Sequence, residues 1–144
     1  TRGGPVRDGP AEARTIMAAA ITEDAFLRQV IELARLRHWL IHHCRPARTS
    51  KGWTTPIQGD RGFPDLVLVS DPDKRSDRRL IFAELKSQEG KSTRSQDQWT
   101  QALQEARVEY WGEQRRWEKE PLPTTPEVYL WRPSDWPQIE EVLA

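Results

Sequence analysis

The chain has 144 residues, and its 22 Lys and Arg balance 22 Asp and Glu, so the formal net charge is zero. This length fits one ordinary domain, and the longest apolar runs fall far short of the roughly 20 residues of a membrane-spanning helix. The single cysteine excludes an intrachain disulfide, so we expect a soluble protein in a reducing, cytoplasmic setting, with no membrane partner.

The zero net charge conceals a local asymmetry. Residues 35–61 carry six basic residues and one acidic residue, whereas residues 109–144 carry four basic and eight acidic residues. A local basic cluster can meet a polyanion, because phosphate affinity depends on clustering rather than on the whole-chain sum. A solvated charged surface explains the same count equally well.

The first half of the chain predicts a helix followed by a strand and a long loop. Residues 1–21 are rich in Gly, Pro, Ala and Arg and predict a flexible arm. Thr22 and the acidic residues after it favour a helix start, and the apolar stripe predicts an amphipathic helix over residues 22–38. Residues 39–44 then predict a short strand, and residues 45–63, with their glycines and prolines, a long loop.

Residues 65–70 and 80–87 predict two neighbouring strands. The polar segment 71–79 between them is typical of a turn. If this hairpin is symmetric, Asp65 lies directly opposite Glu84.

A capping box at residues 93–96 predicts a second helix. We expect most of its apolar stripe to lie in the core: Trp99, Ala102, Leu103, Ala106 and Tyr110. Residues 111–126 predict a short extension of this helix and then a proline-rich connection. Residues 127–131 predict the last strand, and residues 134–137 are predicted to cap a short terminal helix. The predicted fold class is therefore α/β, with a mixed sheet flanked by helices in the order helix, three strands, helix, strand and C-terminal helix.

Charged residues in a predicted strand interior indicate chemistry. Glu84 and Lys86 point to the same face of an extended chain, so that with Asp65 opposite, two carboxylates and one ammonium meet at one sheet edge. Two adjacent carboxylates repel each other unless a hard divalent cation such as Mg²⁺ takes both as ligands. This pattern predicts metal-assisted phosphodiester hydrolysis, in which Lys86 orients the attacking water or neutralises charge. For an isolated triplet a surface Glu–Lys pair is the better explanation, but the glycine-rich approach at residues 59–63 favours a site.

Three separated segments carry a family resemblance: GFPDLVLV (62–69), IFAELKSQEGKSTRSQDQW (81–99) and VYLWRPSDW (128–136). In this order they resemble the small VRR-NUC branch of the PD-(D/E)xK nuclease superfamily. Residues 22–43 resemble the first helix and strand of that branch. The resemblance implies one nuclease domain with a restriction-endonuclease-like core over residues 22–144, in which residues 111–126 are an insertion.

The resemblance also implies roles for the residues of the site. Asp65, Glu84 and the backbone carbonyl of Leu85 would bind the catalytic Mg²⁺, for which Mn²⁺ is expected to substitute, and no small-molecule cofactor is expected. Lys86 would serve the attacking water.

Two further residues match positions of the family on its helices. Gln96, three residues before Trp99, would contact the site or the scissile phosphate, and Gln98 matches less well. Glu23 would complete the metal site, although a carboxylate at a helix start is also explained by the helix dipole.

Seven residues border the predicted site and would suit backbone phosphates: His43, Arg45, Arg48, Lys51, Arg61, Lys91 and Arg94. We interpret His38 and His42 as structural or surface residues. In the insertion, we favour packing over base stacking for Trp111 and Trp117.

The hypothesis from sequence is a metal-dependent DNA endonuclease that selects branched, flap or four-way junction DNA by shape. The resemblance implies that such a small domain works as a homodimer, in a bacterial cell or a phage-infected host. Repair, recombination and phage DNA processing all fit. The alternative is a non-catalytic nucleic-acid-binding or partner-docking module on the same fold.

Overall fold

The computed structural model describes residues 20–45, 47–106, 108–109, 123–124 and 126–144. Most of the predicted N-terminal arm and most of the predicted insertion therefore lie outside the described residues, including Trp111 and Trp117. No helix in the described ranges combines the length and the apolar character that crossing a membrane would require.

The first helix, α1, spans Glu23–Leu36 and begins where the sequence predicts. The hydroxyl of Thr22 accepts a hydrogen bond from the backbone N–H of Ala25 at 3.1 Å, which satisfies one of the free N–H groups of the first turn. The helix ends two residues earlier than predicted, because His38 adopts a left-handed backbone with φ of +64° that turns the chain into the first strand.

Eight strands and two further helices complete the described residues. The strands are β1 Trp39–His43, β2 Ala47–Thr49, β3 Gly52–Thr54, β4 Leu66–Ser70, β5 Leu80–Leu85, β6 Val108–Glu109, β7 Pro123–Thr124 and β8 Glu127–Trp131. The helices are α2 Arg94–Glu105, between β5 and β6, and α3 Trp136–Leu143, which follows a 3₁₀ turn at Pro133–Asp135.

The main sheet is four-stranded, with the order β1-β4-β5-β8. The β1–β4 and β4–β5 pairs are antiparallel, and the β5–β8 pair is parallel. Helices flank this sheet, so the predicted mixed α/β architecture is confirmed. The predicted register is also confirmed, because Leu66 pairs with Ala83 and Val69 with Leu80.

The core fills one face of the main sheet. Alternate residues of β4 and β5 are fully buried there, together with Trp131 of β8. Helices α1 and α3 cover this face through Phe26, Val30, Ile139 and Leu143, all of which are fully buried. The residues between them in sequence, including Glu84, point to the opposite face because side chains alternate along a strand.

Three sequence predictions about the remaining segments are wrong. Residues 45–63 are not loop throughout, since β2 and β3 pair as a hairpin. Helix α2 has no buried residue, so the described part of its stripe does not lie in the core, and Ala102 is exposed, while Tyr110 lies outside the described residues. The physical reason is that α1 and α3 already occupy the core face of the sheet. The helix also does not continue past Glu105, because the chain enters β6 and pairs with β7.

The terminal helix forms as predicted, but its start is stabilised differently. Asp135 stands at the capping position and makes no side-chain bond to the helix. Its carboxylate instead accepts a hydrogen bond from the backbone N–H of Arg132 at 2.8 Å, which closes the preceding 3₁₀ turn.

Candidate active site

Asp65 and Glu84 are brought together at the edge where β4 begins and β5 ends. The observed pairing of Leu66 with Ala83 puts the preceding Asp65 opposite Glu84 when it is continued by one residue. One carboxylate oxygen of Asp65, Oδ2, accepts a hydrogen bond from the backbone N–H of Leu85 at 2.8 Å. The carbonyl of Asp65 lies 2.8 Å from Nδ1 of His43 and accepts its proton, so the end of β1 supports the same position.

The two oxygens of the Glu84 carboxylate have different surroundings. Oε1 accepts a hydrogen bond from the side-chain amide of Gln96 and lies 3.1 Å from Nζ of Lys86. Oε2 is buried and has no hydrogen-bond partner in the described part of the chain. Because Glu84 is only 3% exposed and Lys86 only 8%, bulk water does not substitute for the missing partner. The arrangement leaves one buried carboxylate oxygen available to a ligand.

The electrostatics of this edge favour an added positive charge. Burial raises the pKa of the Glu84 carboxyl from 4.5 to about 7, and the nearby charge of Asp65 acts in the same direction. Lys86 opposes this shift through its hydrogen bond and its charge, and Glu23 adds a weaker increase. A cation bound between these carboxylates would relieve their repulsion.

Gln96 joins the site to the first turn of α2. Its side-chain oxygen accepts a hydrogen bond from the backbone N–H of Thr93 at 2.8 Å, while its own backbone N–H donates to the Thr93 hydroxyl at 3.3 Å. The amide group of the same side chain donates to Glu84. The predicted capping box is therefore confirmed, and Gln96 contacts the site as expected.

The glycine-rich approach is packed directly against the start of α2. Gly62 has φ of +96°, and a Cβ atom there would lie 2.6 Å from the carbonyl oxygen of Ser95. Phe63 makes edge-to-face contacts with Phe82 of β5 and Trp99 of α2, at ring-centroid distances of 5.8 and 5.1 Å. This packing holds the segment before Asp65 against the helix that carries Gln96.

Sequence reasoning missed Arg132, which holds the segment after Lys86. Its Nη1 donates to the backbone carbonyls of Ser87 and Gln88 at 2.9 and 3.3 Å, and also to that of Gly90. Three carbonyls on one guanidinium fix the course of the chain between β5 and α2. No local pattern signals this role, because the arginine lies 42 to 45 residues away along the chain.

The remaining predicted site residues occupy two kinds of position. Glu23 lies close to the end of β5, since its Oε2 accepts a hydrogen bond from the N–H of Ser87 at 3.4 Å. His43 is half-buried beside Asp65. The six other predicted phosphate-binding residues are exposed and form no ion pair within the described ranges: Arg45, Arg48, Lys51, Arg61, Lys91 and Arg94.

The donors at this edge suit Mg²⁺, although they do not form a preassembled cage. No group of three or more His, Cys, Asp or Glu side chains in the described residues is arranged to hold an ion. Two carboxylates and a backbone carbonyl are nevertheless the oxygen donors that Mg²⁺ takes, with water completing its coordination. The free Oε2 of Glu84 fits such a ligand role.

Comparisons with known proteins add no relative. No family model matches the chain, and neither the curated proteins nor the solved structures contain a match.

Proposed function

We propose that the chain is a Mg²⁺-dependent DNA endonuclease with a restriction-endonuclease-like core of the VRR-NUC kind. The observation that carries this proposal is the buried carboxylate of Glu84, which keeps one oxygen free beside Asp65 and Lys86. A buried acid with a raised pKa has no evident structural benefit, and such groups concentrate at functional sites.

In this proposal Asp65, Glu84 and the carbonyl of Leu85 hold the cation. A bound Mg²⁺ would polarise the scissile phosphate and favour ionisation of the attacking water. Lys86, whose ammonium is held against Glu84, orients that water and offsets the negative charge that develops on the phosphate. Gln96 keeps Oε1 of Glu84 occupied, so that Oε2 remains the oxygen directed to the ligand.

The six exposed basic residues that the sequence predicts as phosphate contacts support a nucleic-acid substrate. Arginine and lysine side chains without acidic partners attract phosphates and position a duplex without reading its bases. Such phosphate contacts do not depend on base identity, which favours recognition of DNA shape. We therefore propose branched, flap or four-way junction DNA as the substrate, cut by a homodimer in the cytoplasm of a bacterial or phage-infected cell.

Cleavage assays test the proposal directly. Mg²⁺ or Mn²⁺ is titrated against labelled linear duplex, flap and four-way junction DNA of equal length. We expect cutting of the branched substrates, and a loss of at least about 100-fold in rate for Asp65→Asn and Glu84→Gln, because each removes a charged ligand. Asp73→Asn is the matched control, since Asp73 is an exposed carboxylate in the β4–β5 turn at the other end of the strands.

Metal binding gives a readout that does not depend on cleavage. Mn²⁺ titration by calorimetry should show a site that both variants weaken and that Asp73→Asn leaves intact. Undetectable cutting by the wild-type protein, or equal cutting by all four proteins, would reject the nuclease. Tight junction binding without metal and without products would support the non-catalytic module instead.

A further inference from the structure

The β2–β3 hairpin presents a tryptophan to solvent. Trp53 is 70% exposed and takes part in none of the aromatic pairs of the described structure. The other tryptophans of the described part of the chain are buried or half-buried: Trp39, Trp99, Trp131 and Trp136. An exposed indole leaves its ring faces free, and a nucleic-acid base can stack on such a face.

The face that carries Trp53 is basic. Arg48 pairs directly with Trp53 in the hairpin register, so the two side chains lie on the same face of the ribbon. Lys51 lies in the two-residue turn, and no acidic residue occurs from position 44 to position 59. An aromatic ring flanked by positive charges without acidic neighbours is complementary to a base with its adjoining phosphates.

The hairpin is tied by the chain to the edge that carries the candidate site. His43 ends β1 and contacts the carbonyl of Asp65, and β2 begins four residues later, at Ala47. Four residues span at most about 14 Å, which is about four nucleotide steps of a DNA strand. A strand bound at Asp65 can therefore reach the base of the hairpin, and Trp53 lies one residue pair beyond that base.

We propose that the β2–β3 hairpin stacks an unpaired base of the DNA substrate on Trp53, while Arg48 and Lys51 contact the flanking phosphates. A base inside a continuous duplex has both faces covered by its neighbours, whereas a flap or an open junction offers a free face to the indole. The inference deepens the proposed function on which it rests, because it names DNA with unpaired bases next to the cleavage site as the preferred substrate.

Binding measured without divalent metal tests this inference separately from cleavage. Fluorescence anisotropy in EDTA compares a labelled flap with a blunt duplex of the same length. We expect Trp53→Ala to weaken flap binding by about 5- to 150-fold and to change duplex binding by less than about 2-fold, as stacking of one base predicts. Trp53→Phe should retain most of the flap affinity because the ring remains. Leu36→Ala is the matched control, since Leu36 is 69% exposed and ends α1, away from the hairpin in the chain.

A second pair of variants tests the proposal even if the hairpin does not form in Trp53→Ala. Arg48→Gln and Lys51→Gln keep the indole, and each should lower the slope of flap affinity against salt by about 1 on logarithmic axes. Unchanged flap affinity in Trp53→Ala, or an equal loss on flap and duplex, would overturn the stacking role. A shift in oligomeric state at unchanged flap affinity would overturn it as well and assign Trp53 to a protein contact.

The two proposals can fail independently. Flap binding that requires Trp53, in a protein that cleaves nothing with any metal, would support the hairpin and reject the nuclease. Metal-dependent cleavage that tolerates Trp53→Ala with unchanged flap affinity would reject the hairpin and support the nuclease.

Discussion

The buried carboxylate of Glu84 lowers the stability of the fold but offers an oxygen to a ligand. One of its oxygens has two positively polarised neighbours, and the other is buried without a partner in the described part of the chain. A folded protein retains such a group when its function requires it, although the group lowers the free energy of unfolding of the whole domain. The carboxylate is therefore expected to destabilise the metal-free protein at the pH at which it is charged.

The first prediction concerns the pH dependence of stability in EDTA. Because the pKa of Glu84 rises from 4.5 to about 7 on folding, the native state holds a proton that the unfolded chain has lost. The stability that the protonated Glu84 carboxyl gives the fold is fully present below pH 4.5. This stability is lost as the pH rises through 7, because the buried group then becomes charged. Glu84→Gln carries no such charge, so at pH 8 it should be more stable than the wild type by about 1–3 kcal/mol in urea unfolding.

Magnesium should reverse this order. Under the proposed function, the cation should stabilise the wild-type protein by mass action and leave Glu84→Gln unaffected, because the variant lacks the proposed ligand. Glu140→Gln, an exposed change on α3, should follow the wild type in both conditions. A Glu84→Gln variant that loses stability between pH 4.5 and 8 as the wild type does would contradict the assignment of the raised pKa.

Part of the site was predictable from local pattern. The alternation around Glu84 and Lys86 and the symmetric polar turn predicted the meeting with Asp65, and the observed register confirms it. The unequal surroundings of the two Glu84 oxygens could not be predicted, because they depend on how α2 is seated. The exposure of Trp53 also escaped prediction, since its hairpin lacks the apolar alternation that marks a strand.

At the scale of elements, the approach loop and α2 behave as one unit. Gly62 lets the loop backbone touch the start of the helix, and Phe63 packs on Trp99. Helix α2 has no buried residue of its own, so this contact, the bond from Gln96 and its packing beside β8 hold it over the site.

The second prediction compares two glycines with similar backbones. Gly59 has φ of +117° and no atom within 4 Å of the position that a methyl group would take, whereas at Gly62 such a methyl would collide with Ser95. Gly59→Ala should cost only the backbone strain, about 1–2 kcal/mol in urea unfolding. Gly62→Ala adds a collision that moves Gln96 away from Glu84, so we expect a further loss of stability and at least about a 10-fold slower cleavage.

Equal effects of Gly59→Ala and Gly62→Ala on stability and cleavage would contradict this account of the loop.

For these elements the sequence was only partly informative. The capping box identified the start of α2, but its predicted place in the core was wrong, because the periodicity does not reveal that α1 and α3 already fill that face. The end of the helix at Glu105 was missed for a related reason, since β6 is defined by its distant pairing with β7.

At the scale of the whole molecule, two arginines bind the ends of the fold together. Arg75, in the β4–β5 turn, donates to the carbonyl of Arg37 after α1 at 2.6 Å and to that of Ala144 after α3 at 2.9 Å. Arg79 forms a two-pronged pair with Glu127 of β8, with both distances 2.7 Å. Both guanidiniums lie over the ring of Trp39, at 4.3 and 5.2 Å from its centre.

The third prediction concerns this arginine pair and acid. Arg79→Gln should lower the free energy of unfolding by about 1–3 kcal/mol at pH 7, as expected for a charge-assisted and partly buried pair. Arg28→Gln is the control, because Arg28 is 77% exposed and its partner Asp24 is 68% exposed. We expect this change to lower the free energy of unfolding by less than about 0.5 kcal/mol.

The stability difference between wild type and Arg79→Gln should also depend on pH. The hydrogen bond from Arg79 lowers the pKa of Glu127 below 4.5, and that from Arg75 lowers the pKa of Asp77 from 3.8 to about 2. Depressed carboxyl groups stabilise the fold above their unfolded pKa, and this contribution disappears as the pH falls through the folded value. The difference between wild type and Arg79→Gln should therefore shrink below about pH 4. A difference that is constant from pH 7 to 2.5 would exclude the ion pair as its cause.

The overall architecture was predictable to the level of a mixed sheet flanked by helices. The order of helix and strand patterns indicated it, because a strand that returns after a helix favours parallel pairing, as β8 shows beside β5. The arginine network was not predictable, since Arg75 and Arg79 lie in a polar turn whose composition indicates only solvent exposure. Their partners come from both ends of the described fold.

Gln96 serves two structures with one side chain, since its oxygen closes the first turn of α2 and its amide nitrogen holds Glu84. Removing the side chain destabilises the start of α2 and also frees the Glu84 carboxylate. The effect of Gln96→Ala therefore combines a change in helix stability with a change at the candidate site. Thr93→Ala removes the reciprocal half of the cap alone, and a double-mutant cycle between the two positions separates the contributions. A single amide group therefore links the start of α2 to the Glu84 carboxylate in this protein.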